Sequence, residues 1–355
     1  MKDVDEILMR LIAKNKTPSV RYAIFTRDNI IYEFNNGFAD IKEHTRVCED
    51  TTYHLFSVTK TFTALAVLQL AEKKQLSLED PVSEYLEDFP YSNIITIRQL
   101  LSHSAGIPNP NPLSWIHLET EHASFKKDDF FKHILEKYPK VKFEPNEKFK
   151  YSNLGYVFLG QLIEGLTGQS YEEYIRNNIL NPLSIKPEEL GFQMKSAHHK
   201  AKGYQKRYSL MNVLLGLFMD KSKFMSTSEG IWKPFQNYLI NGTSYGGLIG
   251  NADGLRIYIQ ELLKPNCVLI SDEFKRELFT ENVTNLNKTT GMALSWFKGT
   301  LNEHEYYAHA GGGGGYYCEI RVYLNQNIGS VITFNRTGIK DERFLDKLDK
   351  YQFKA

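Results

Sequence analysis

The sequence predicts an α+β protein in which an antiparallel sheet, flanked by helices, is built from both ends of the chain. Stretches rich in β-branched and aromatic residues lie near the two ends, over residues 19–40 and 317–335. Between them, apolar residues recur at helical spacing in segments rich in alanine and leucine. We therefore expect a sheet domain formed by residues 1–65 and 240–355, and a mainly helical insertion domain over residues 66–239.

The spacing of apolar residues predicts the N-terminal elements. An amphipathic helix is expected within residues 1–16, where Val4, Leu8 and Leu11 share one face. Residues 19–40 should form two strands, with a turn at Arg27-Asp28-Asn29 between them. The next strong element is a helix over residues 59–75, because alanine and leucine are strong helix formers.

The later elements are predicted by start and stop signals or by an alternating pattern. The expected helices are Thr96–Ser102 with Thr96 as its cap, Leu154–Leu166 with Gly168 as its C-cap, Ser170–Leu180 with a Ser170–Glu173 capping box, a helix that ends at Leu263 and is capped by Asn251 or Asp253, and Ile339–Tyr351. The expected strands are Tyr317–Leu324 and Ser330–Asn335.

Composition excludes several classes of protein. The 43 Lys+Arg residues balance 42 Asp+Glu, so the chain lacks the basic excess that is typical of nucleic-acid binders. Its three cysteines are too scattered for a disulfide framework. No apolar run approaches the ~18 residues of a membrane span, and the charged start does not resemble a secretory signal. We expect a cytoplasmic protein whose partner is a small-molecule or peptide substrate.

The first candidate nucleophile is Ser57, in the sequence Ser57-Val58-Thr59-Lys60. Residues three apart at the start of a helix share a face, so the lysine amine can reach the serine hydroxyl. The amine can accept the hydroxyl proton if burial or nearby cations lower its pKa. Ser124 and Ser295 have the same spacing to a lysine, but only Ser57 opens a long apolar helix. An ordinary N-cap serine remains the alternative.

Two further segments could complete such a site. Tyr151-Ser152-Asn153 offers a phenol that can act as a general base and an amide that can bind a substrate amide, although Tyr91-Ser92-Asn93 offers the same residues. His309-Ala310 precedes the five glycines Gly311–Gly315, whose open backbone N–H groups suit an oxyanion hole. Each of these segments could equally be a loop or turn.

A rival nucleophile is Ser244, because residues 242–246 match the G-x-S-x-G elbow of α/β-hydrolases. That elbow needs a helix directly after the serine, and Gly246-Gly247 is a poor start for one. Metal binding is poorly supported, because His117 and His122 do not form the H-E-x-x-H pattern. We predict neither a metal nor an organic cofactor.

The order of the motifs is more specific than any one of them. In chain order they are Ser57-x-x-Lys60, LLSHSAGIP (100–108), YSNLGYVFLGQLIEGLTGQSYEEYI (151–175), NPL (181–183), YGGLIGNADGL (245–255) and HAGGGGGY (309–316). This ordered set resembles the serine beta-lactamase-related family, which includes class C beta-lactamases, D-alanyl-D-alanine carboxypeptidases, D-amino acid peptidases and lactamase-like esterases. The resemblance implies the beta-lactamase/transpeptidase-like fold.

By this resemblance, Ser57 is the acylated nucleophile, and Lys60 and Tyr151 share its proton. The Leu-Gly-Tyr that follows the tripeptide selects Tyr151 over Tyr91, and Ser244 becomes a scaffold position beside the site. The implied reaction has two steps. An ester or amide first acylates the serine, and water then releases the acyl group.

The resemblance also implies substrate-binding roles for Asn153, His309 and Gly312, with the backbone N–H groups of Ser57 and Gly312 forming the oxyanion hole. Beta-lactamases usually have a lysine at the position of His309. An unperturbed histidine is cationic only below about pH 6.5, so it binds the carboxylate of a beta-lactam less well at neutral pH. We expect an esterase or D-peptidase with at most weak beta-lactamase activity. The alternatives are a non-catalytic penicillin-binding-like sensor or scaffold, and an α/β-hydrolase that uses Ser244.

Residues 204–234 match no pattern of that family. Within them, the apolar run Leu210–Met219 could form a lid that shapes an acyl pocket. The favoured interpretation is a helix packed inside the insertion domain, because methionine and leucine at helical spacing usually lie in a core. The sequence does not predict the oligomeric state.

Overall fold

The computed structural model describes residues 2–111, 114–193, 199–337 and 343–353. The strands of this part of the chain are β1 (Ser19–Thr26), β2 (Ile30–Asp40), β3 (Thr45–Arg46), β4 (Tyr53–His54), β5 (Ile116–Leu118), β6 (Leu190–Gly191), β7 (Tyr204–Lys206), β8 (Trp232–Pro234), β9 (Tyr238–Ile240), β10 (Ile249–Gly250), β11 (Phe297–Leu301), β12 (His304–Gly313), β13 (Tyr316–Tyr323) and β14 (Ile328–Phe334).

The helices of the same ranges include single turns as well as long elements. They are α1 (Lys2–Ala13), α2 (Thr59–Glu72), α3 (Ile97–Leu101), α4 (Lys127–Lys137), α5 (Asn153–Thr167), α6 (Tyr171–Ile175), α7 (Leu210–Phe218), α8 (Lys221–Phe224), α9 (Thr243–Gly246), α10 (Ala252–Leu263), α11 (Asp272–Leu278) and α12 (Asp346–Asp349). A π-helical turn, Arg176–Leu180, extends α6.

Among the described residues, a seven-stranded antiparallel sheet in the order β11-β12-β13-β14-β1-β2-β3 joins the two ends of the chain. Strand β1 lies beside β14, with Val20 opposite Phe334 and Thr26 opposite Ile328. The predicted α+β class, with a sheet built from both ends, is confirmed. This pairing places the β12–β13 hairpin, which follows the helical segments in sequence, in one sheet with the first strand.

Alternation along β1 explains how both faces of the sheet are covered. Tyr22 and Ile24 pack with the terminal helices α1 and α12 on one face, whereas Ala23 and Phe25 join the main core with α2, α5 and α10. Successive side chains of a strand point to opposite faces, so the consecutive apolar residues Tyr22 to Phe25 are buried on both sides of the sheet.

Local signals predicted several element boundaries. Gly168 ends α5 in the left-handed conformation, with φ 66°, and Ser170 and Glu173 form the expected capping box on α6. Of the two candidates for the cap of α10, Asn251 accepts a hydrogen bond from Gly254 N at 2.9 Å. Asp253 instead forms an ion pair with the buried Arg21 of β1. The predicted helix Ile339–Tyr351 is only partly testable, because residues 338–342 lie outside the described residues.

The division into a sheet domain (1–65 with 240–355) and an insertion domain (66–239) stays a prediction. The described part of the insertion segment holds helices α3 to α8 together with short two-stranded ladders such as β5–β9 and β7–β8. No described helix combines the length and the apolar character that crossing a bilayer requires.

A buried ion pair on β13 joins the β12–β13 hairpin, which carries His309, to the segment before α12. Arg321 and Glu319 are both fully buried on β13, and the guanidinium donates to Glu319 Oε1 at 2.7 and 2.8 Å. Tyr317 Oη and Leu345 N donate to the other carboxylate oxygen at 2.9 and 3.0 Å. Every oxygen of this carboxylate is therefore satisfied, which buried charges require.

We predict that Arg321→Met destabilises the protein by about 3–5 kcal/mol, because it leaves a buried carboxylate without its cation. The double variant Arg321→Met/Glu319→Gln should recover part of that loss. Urea unfolding of the three proteins measures the effect. A single variant that is as stable as the parent would contradict this account of the hairpin.

Candidate active site

Ser57 lies in a 3-10 turn, Phe56–Val58, between β4 and α2. The turn is held from both sides: Leu55 N donates to the Leu248 carbonyl oxygen at 2.9 Å, and Leu248 N donates to Thr59 Oγ1 at 3.1 Å. Phe56 has φ 47°, the left-handed region that few non-glycine residues adopt. Such a conformation persists only where surrounding contacts hold it, so the backbone before Ser57 is tightly constrained.

The amine of Lys60 joins segments that are far apart in sequence. In the described structure its Nζ lies within hydrogen-bond distance of three oxygen atoms: Ser57 Oγ at 3.2 Å, Asn153 Oδ1 at 2.8 Å and the Tyr245 carbonyl oxygen at 2.6 Å. The last two are acceptors only. The serine hydroxyl is the one partner of the three that can also donate a proton to the amine.

Lys60 is fully buried, and this burial lowers its pKa well below the ordinary value of 10.5. The rings of Tyr151, Tyr156 and Tyr245 surround Nζ, with centroids at 5.0, 5.4 and 5.3 Å. Aromatic faces attract an ammonium and so offset part of the desolvation. We expect the pKa of Lys60 to stay lowered, because the oxygen partners of the buried amine are uncharged.

The tripeptide Tyr151-Ser152-Asn153 is positioned by the loop that follows α3. His103 Nδ1 accepts a hydrogen bond from Ser152 N at 3.1 Å, and Ser152 Oγ donates to the Pro108 carbonyl oxygen at 2.9 Å. Asn109 Oδ1 accepts from both the backbone N–H and the side-chain amide of Asn153, at 3.0 and 3.1 Å. Two motifs that the sequence analysis treated as separate therefore form one support for the start of α5.

Tyr151 lies with its ring over this support. Its centroid is 4.2 Å from that of His103 and 6.4 Å from that of Phe297. The competing Tyr91 is elsewhere, and its hydroxyl donates to the Tyr138 carbonyl oxygen at 2.8 Å. The structure thus brings Tyr151, rather than Tyr91, to the lysine.

His309 is buried on β12, and its Nδ1 hydrogen-bonds to the carbonyl oxygen of Ser295. That carbonyl can only accept, so Nδ1 carries the proton and Nε2 is left as an acceptor. Nε2 has no hydrogen-bond partner among the described residues. Burial, and then the charge of Lys60, lower the pKa of His309 to about 3. An unperturbed histidine becomes cationic below about pH 6.5. Burial suppresses the cationic form of His309.

The glycines after His309 allow β12 to approach the serine turn. A Cβ on Gly311 would lie 2.2 Å from the Leu55 carbonyl oxygen and 2.7 Å from Ser57 N, so only glycine fits there. A Cβ on Gly312 would instead have its nearest neighbours at 3.5 and 3.6 Å. Gly314 and Gly315 have φ 43° and 97°, which turn the chain into β13.

A cavity of about 210 Å³ opens beside these residues. Its lining includes four predicted site residues: Ser57, Tyr151, Asn153 and Gly312. Leu215 and Met219, from helix α7 and the residue after it, line the same cavity. The run Leu210–Met219 therefore does shape a pocket at the site, which the sequence analysis had treated as the less favoured interpretation.

Ser244 has a structural role. It is buried in α9, its Oγ donates to the Tyr156 carbonyl oxygen at 2.8 Å, and its carbonyl oxygen accepts from Thr63 Oγ1 at 2.6 Å. An antiparallel sheet also differs from the parallel sheet that carries the nucleophile elbow of α/β-hydrolases. The alternative that uses Ser244 is therefore wrong.

Among the described residues, one group of side chains has the spacing of a metal site: the exposed Cys48, Asp50 and His199, whose potential ligand atoms lie within 4.8 Å of one another. These residues do not line the cavity beside Ser57. His117 and His122 hydrogen-bond to each other at 3.0 Å. The absence of a metal stays a prediction.

Sequence reasoning missed three groups that hold the site together: the Tyr245 carbonyl oxygen, Asn109 and His103. A backbone carbonyl carries no sequence signal. His103 lies inside the motif at residues 100–108, but it could be interpreted only as a solvated or core histidine, because the sequence does not show that it packs on Tyr151.

Comparisons with known proteins concern the family and the fold of this chain. A family model described as Beta-lactamase matches residues 4–352. Protein flp of Staphylococcus aureus (strain N315) is 26% identical over 347 residues, which cover 94% of this chain but only 63% of that protein. The chain thus spans less than two thirds of the length of this curated relative.

Two solved structures are similar in fold. A penicillin-binding protein homologue from Pyrococcus abyssi, described as octameric, superposes with a TM-score of 0.78 at 22% identity, over 99% of this chain and 76% of that chain. The D-amino acid amidase from Ochrobactrum anthropi SV3 gives a TM-score of 0.75 at 17% identity, over 94% of this chain and 90% of that chain. At these identities the likeness concerns the fold alone.

We predict that Gly311→Ala slows the labelling of Ser57 by a fluorophosphonate about 10²-fold, because the added methyl group pushes β12 away from the serine turn. Gly165→Ala in α5, where an added Cβ has no neighbour within 4 Å, is the matched control and should label within a few-fold of the parent. Mass spectrometry of the labelled peptide over time measures both rates. Equal rates for the two variants would contradict the close approach described here.

Proposed function

This chain belongs to the beta-lactamase family, and on that premise we propose that it is a serine hydrolase that acts on an ester or an amide through an acyl-enzyme at Ser57. The resemblance drawn from the ordered motifs is thereby confirmed at the level of the family. The observation that carries the proposal is the hydrogen bond of 3.2 Å between Ser57 Oγ and the buried amine of Lys60.

Lys60 accepts the serine proton. Two of its hydrogen bonds go to oxygens that can only accept, Asn153 Oδ1 and the Tyr245 carbonyl, so a neutral amine directs its two N–H groups there. The lone pair is then directed towards Ser57 Oγ. Burial lowers the lysine pKa and raises the population of this neutral form at a given pH.

Tyr151 completes the proton transfer. Its ring lies 5.0 Å from Lys60 Nζ and lines the cavity with Ser57. We assign to its hydroxyl the delivery of the proton to the leaving group, because a leaving alcohol or amine must be protonated as the bond to the carbonyl carbon breaks. Tyr151 gives its own proton to the leaving group, and Lys60 passes the proton taken from Ser57 Oγ to the resulting phenolate, so that both side chains are neutral again after acylation.

The oxyanion of the tetrahedral intermediate is stabilised by the backbone N–H groups of Ser57 and Gly312. The close approach of Gly311 to Ser57 N supports this pairing, because it places β12 directly against the serine turn. Donors that are fixed before reaction stabilise developing charge without reorganisation. In the second step water attacks the acyl carbon while Lys60 and Tyr151 accept its proton, and this proton passes to Ser57 Oγ as the bond between the serine and the acyl carbon breaks.

The neutral state of His309 supports an esterase or D-peptidase rather than an efficient beta-lactamase. A fixed cation in the third motif would bind the carboxylate of a beta-lactam, and a histidine with a pKa of about 3 does not supply one. Asn153 contacts the substrate amide through an N–H that its bonds to Lys60 and Asn109 leave available.

The sensor alternative is distinguished by turnover. A stable adduct on Ser57, without release of product from esters, D-peptides or nitrocefin, would favour a penicillin-binding-like sensor or scaffold. The cytoplasmic location inferred from the sequence stays a prediction.

We predict that Ser57→Ala abolishes the hydrolysis of a p-nitrophenyl ester above the spontaneous rate, whereas Ser244→Ala keeps it within a few-fold. The two serines differ in that Ser57 lines the cavity and Ser244 bonds to the Tyr156 carbonyl. Initial rates at equal enzyme concentration measure the difference. A fully active Ser57→Ala variant would overturn the proposed function.

We further predict that kcat/KM rises with pH through an ionisation below 10.5, as Lys60 loses its proton. His309→Asn should leave the position of this ionisation largely unchanged, because the neutral ring does not titrate in the working range. Lys60→Ala should remove the rising limb and lower the rate about 10²–10⁴-fold. A rising limb that disappears in His309→Asn but persists in Lys60→Ala would reverse this assignment.

A further inference from the structure

Helix α7 has an unusual distribution of polar and apolar side chains. Apart from Asn212 and Gly216, its sequence LMNVLLGLF is entirely apolar. Asn212 is buried, donates through its amide to the Arg207 carbonyl oxygen at 2.7 Å, and offers its backbone carbonyl to Lys221 Nζ at 2.7 Å. The one polar side chain of the helix thus points inward. A helix on the surface of a globular protein normally shows the opposite arrangement.

One face of α7 belongs to the proposed active site. Leu215 and Met219 are buried and line the 210 Å³ cavity that contains Ser57. The helix is therefore fixed over the site by its own side chains.

The other face is apolar and open to solvent. Leu210 and Leu217 are each 75% exposed, and Val213 is 68% exposed. Tyr208, Phe218 and Ile231 extend the patch, and Ile231 adjoins it because its carbonyl oxygen accepts from Arg207 N at 2.9 Å. Contiguous apolar surface of this kind marks an interaction site.

Basic residues flank helix α7 in the sequence. Lys206 and Arg207 precede the helix and Lys221 and Lys223 follow it, against a single acidic residue, Asp220, between residues 204 and 225. Lys223 also forms an ion pair with Glu121 at 2.6 Å. Burial, and then the neighbouring charges of Arg336 and Lys16, lower the pKa of Lys206, so further cations lie beside the patch.

We propose that α7 docks the protein on an anionic membrane surface, with its exposed apolar side chains among the lipid headgroups and acyl chains and its flanking cations on the phosphates. An apolar helical face combined with basic flanks is the pattern of an interfacial helix, and an exposed tyrosine suits the same depth. A second copy of the chain fits less well. A symmetric dimer would place the two like-charged rims against each other.

This docking also indicates a substrate class, an inference that rests on the proposed function. Because the same helix touches the membrane with one face and the cavity with the other, an amphiphilic ester or amide can pass its acyl part from the surface to Ser57. We therefore expect vesicles to raise the rate of hydrolysis more for long-chain acyl substrates than for short-chain ones.

Membrane docking is tested with the full chain carrying Ser57→Ala, so that the result is independent of catalysis. We expect this protein to sediment with vesicles of phosphatidylcholine plus phosphatidylglycerol, and much less with phosphatidylcholine alone. Leu217→Ser should weaken binding about 10-fold, and Arg207→Glu by about 5-fold or more. Leu286, which is 74% exposed in another segment, provides the matched control Leu286→Ser, and Lys288→Glu is the charge control. Both controls should bind like the parent.

Three results would overturn the proposal: no binding to anionic vesicles, equal binding by Leu217→Ser and Leu286→Ser, or a dimer in solution that Leu217→Ser dissociates. Circular dichroism of each variant verifies its fold. Hydrolysis by the active chain, with and without vesicles, then tests the substrate class. If the protein binds vesicles but they do not stimulate the hydrolysis of long-chain substrates, the docking surface is retained and the substrate class is rejected. If the active chain hydrolyses no substrate with or without vesicles, the proposed function is rejected.

Discussion

The burial of a lysine amine is the constraint on which the rest of this structure depends. Lys60 lies at the start of α2, yet its partners come from the start of α5 and from the carbonyl of Tyr245 in α9. An unsolvated amine needs such partners, because each polar hydrogen left unpaired in a core costs free energy. Three helices are thereby drawn to one point, and the serine turn is located where the remaining side of the amine faces it. The geometry of the site therefore depends on how these helices pack in the core.

Within the described residues, no carboxylate lies among the hydrogen-bond partners of this amine. Its described hydrogen-bond partners are uncharged oxygens, and both His103 and His309, which lie near it, are held neutral by burial. A neighbouring anion would stabilise the ammonium and raise the lysine pKa, which would make the amine a poorer base. Neutral partners fix the position of the amine without raising its pKa. We regard this as the physical reason for so many tyrosine, asparagine and histidine side chains around one lysine.

The sequence predicted those features that depend on neighbouring residues. Helix caps such as Gly168 and the Ser170 box follow from local rules, and the strands at both ends follow from composition and alternation. The contact between Ser57 and Lys60 was predicted from their spacing of three residues, whereas the association of Tyr151 with them was predicted from the order of the motifs. The charge state of His309 could not be predicted, because it depends on burial by segments distant in sequence. Likewise, the apolar run of α7 indicated a helix but not which of its faces another group would cover.

The neighbouring positions of the first and last strands of the sheet have a consequence for biosynthesis. Strand β1 leaves the ribosome well before its partner β14, because strands β2 to β13 lie between them in sequence. Until β14 is translated, the nascent chain therefore carries an open strand edge, which invites association with other chains. The hairpin of β12 and β13 is translated just before β14, and it supplies the wall of the cavity that contains Gly312. A nascent chain therefore lacks that wall of the cavity beside Ser57 until this hairpin has left the ribosome.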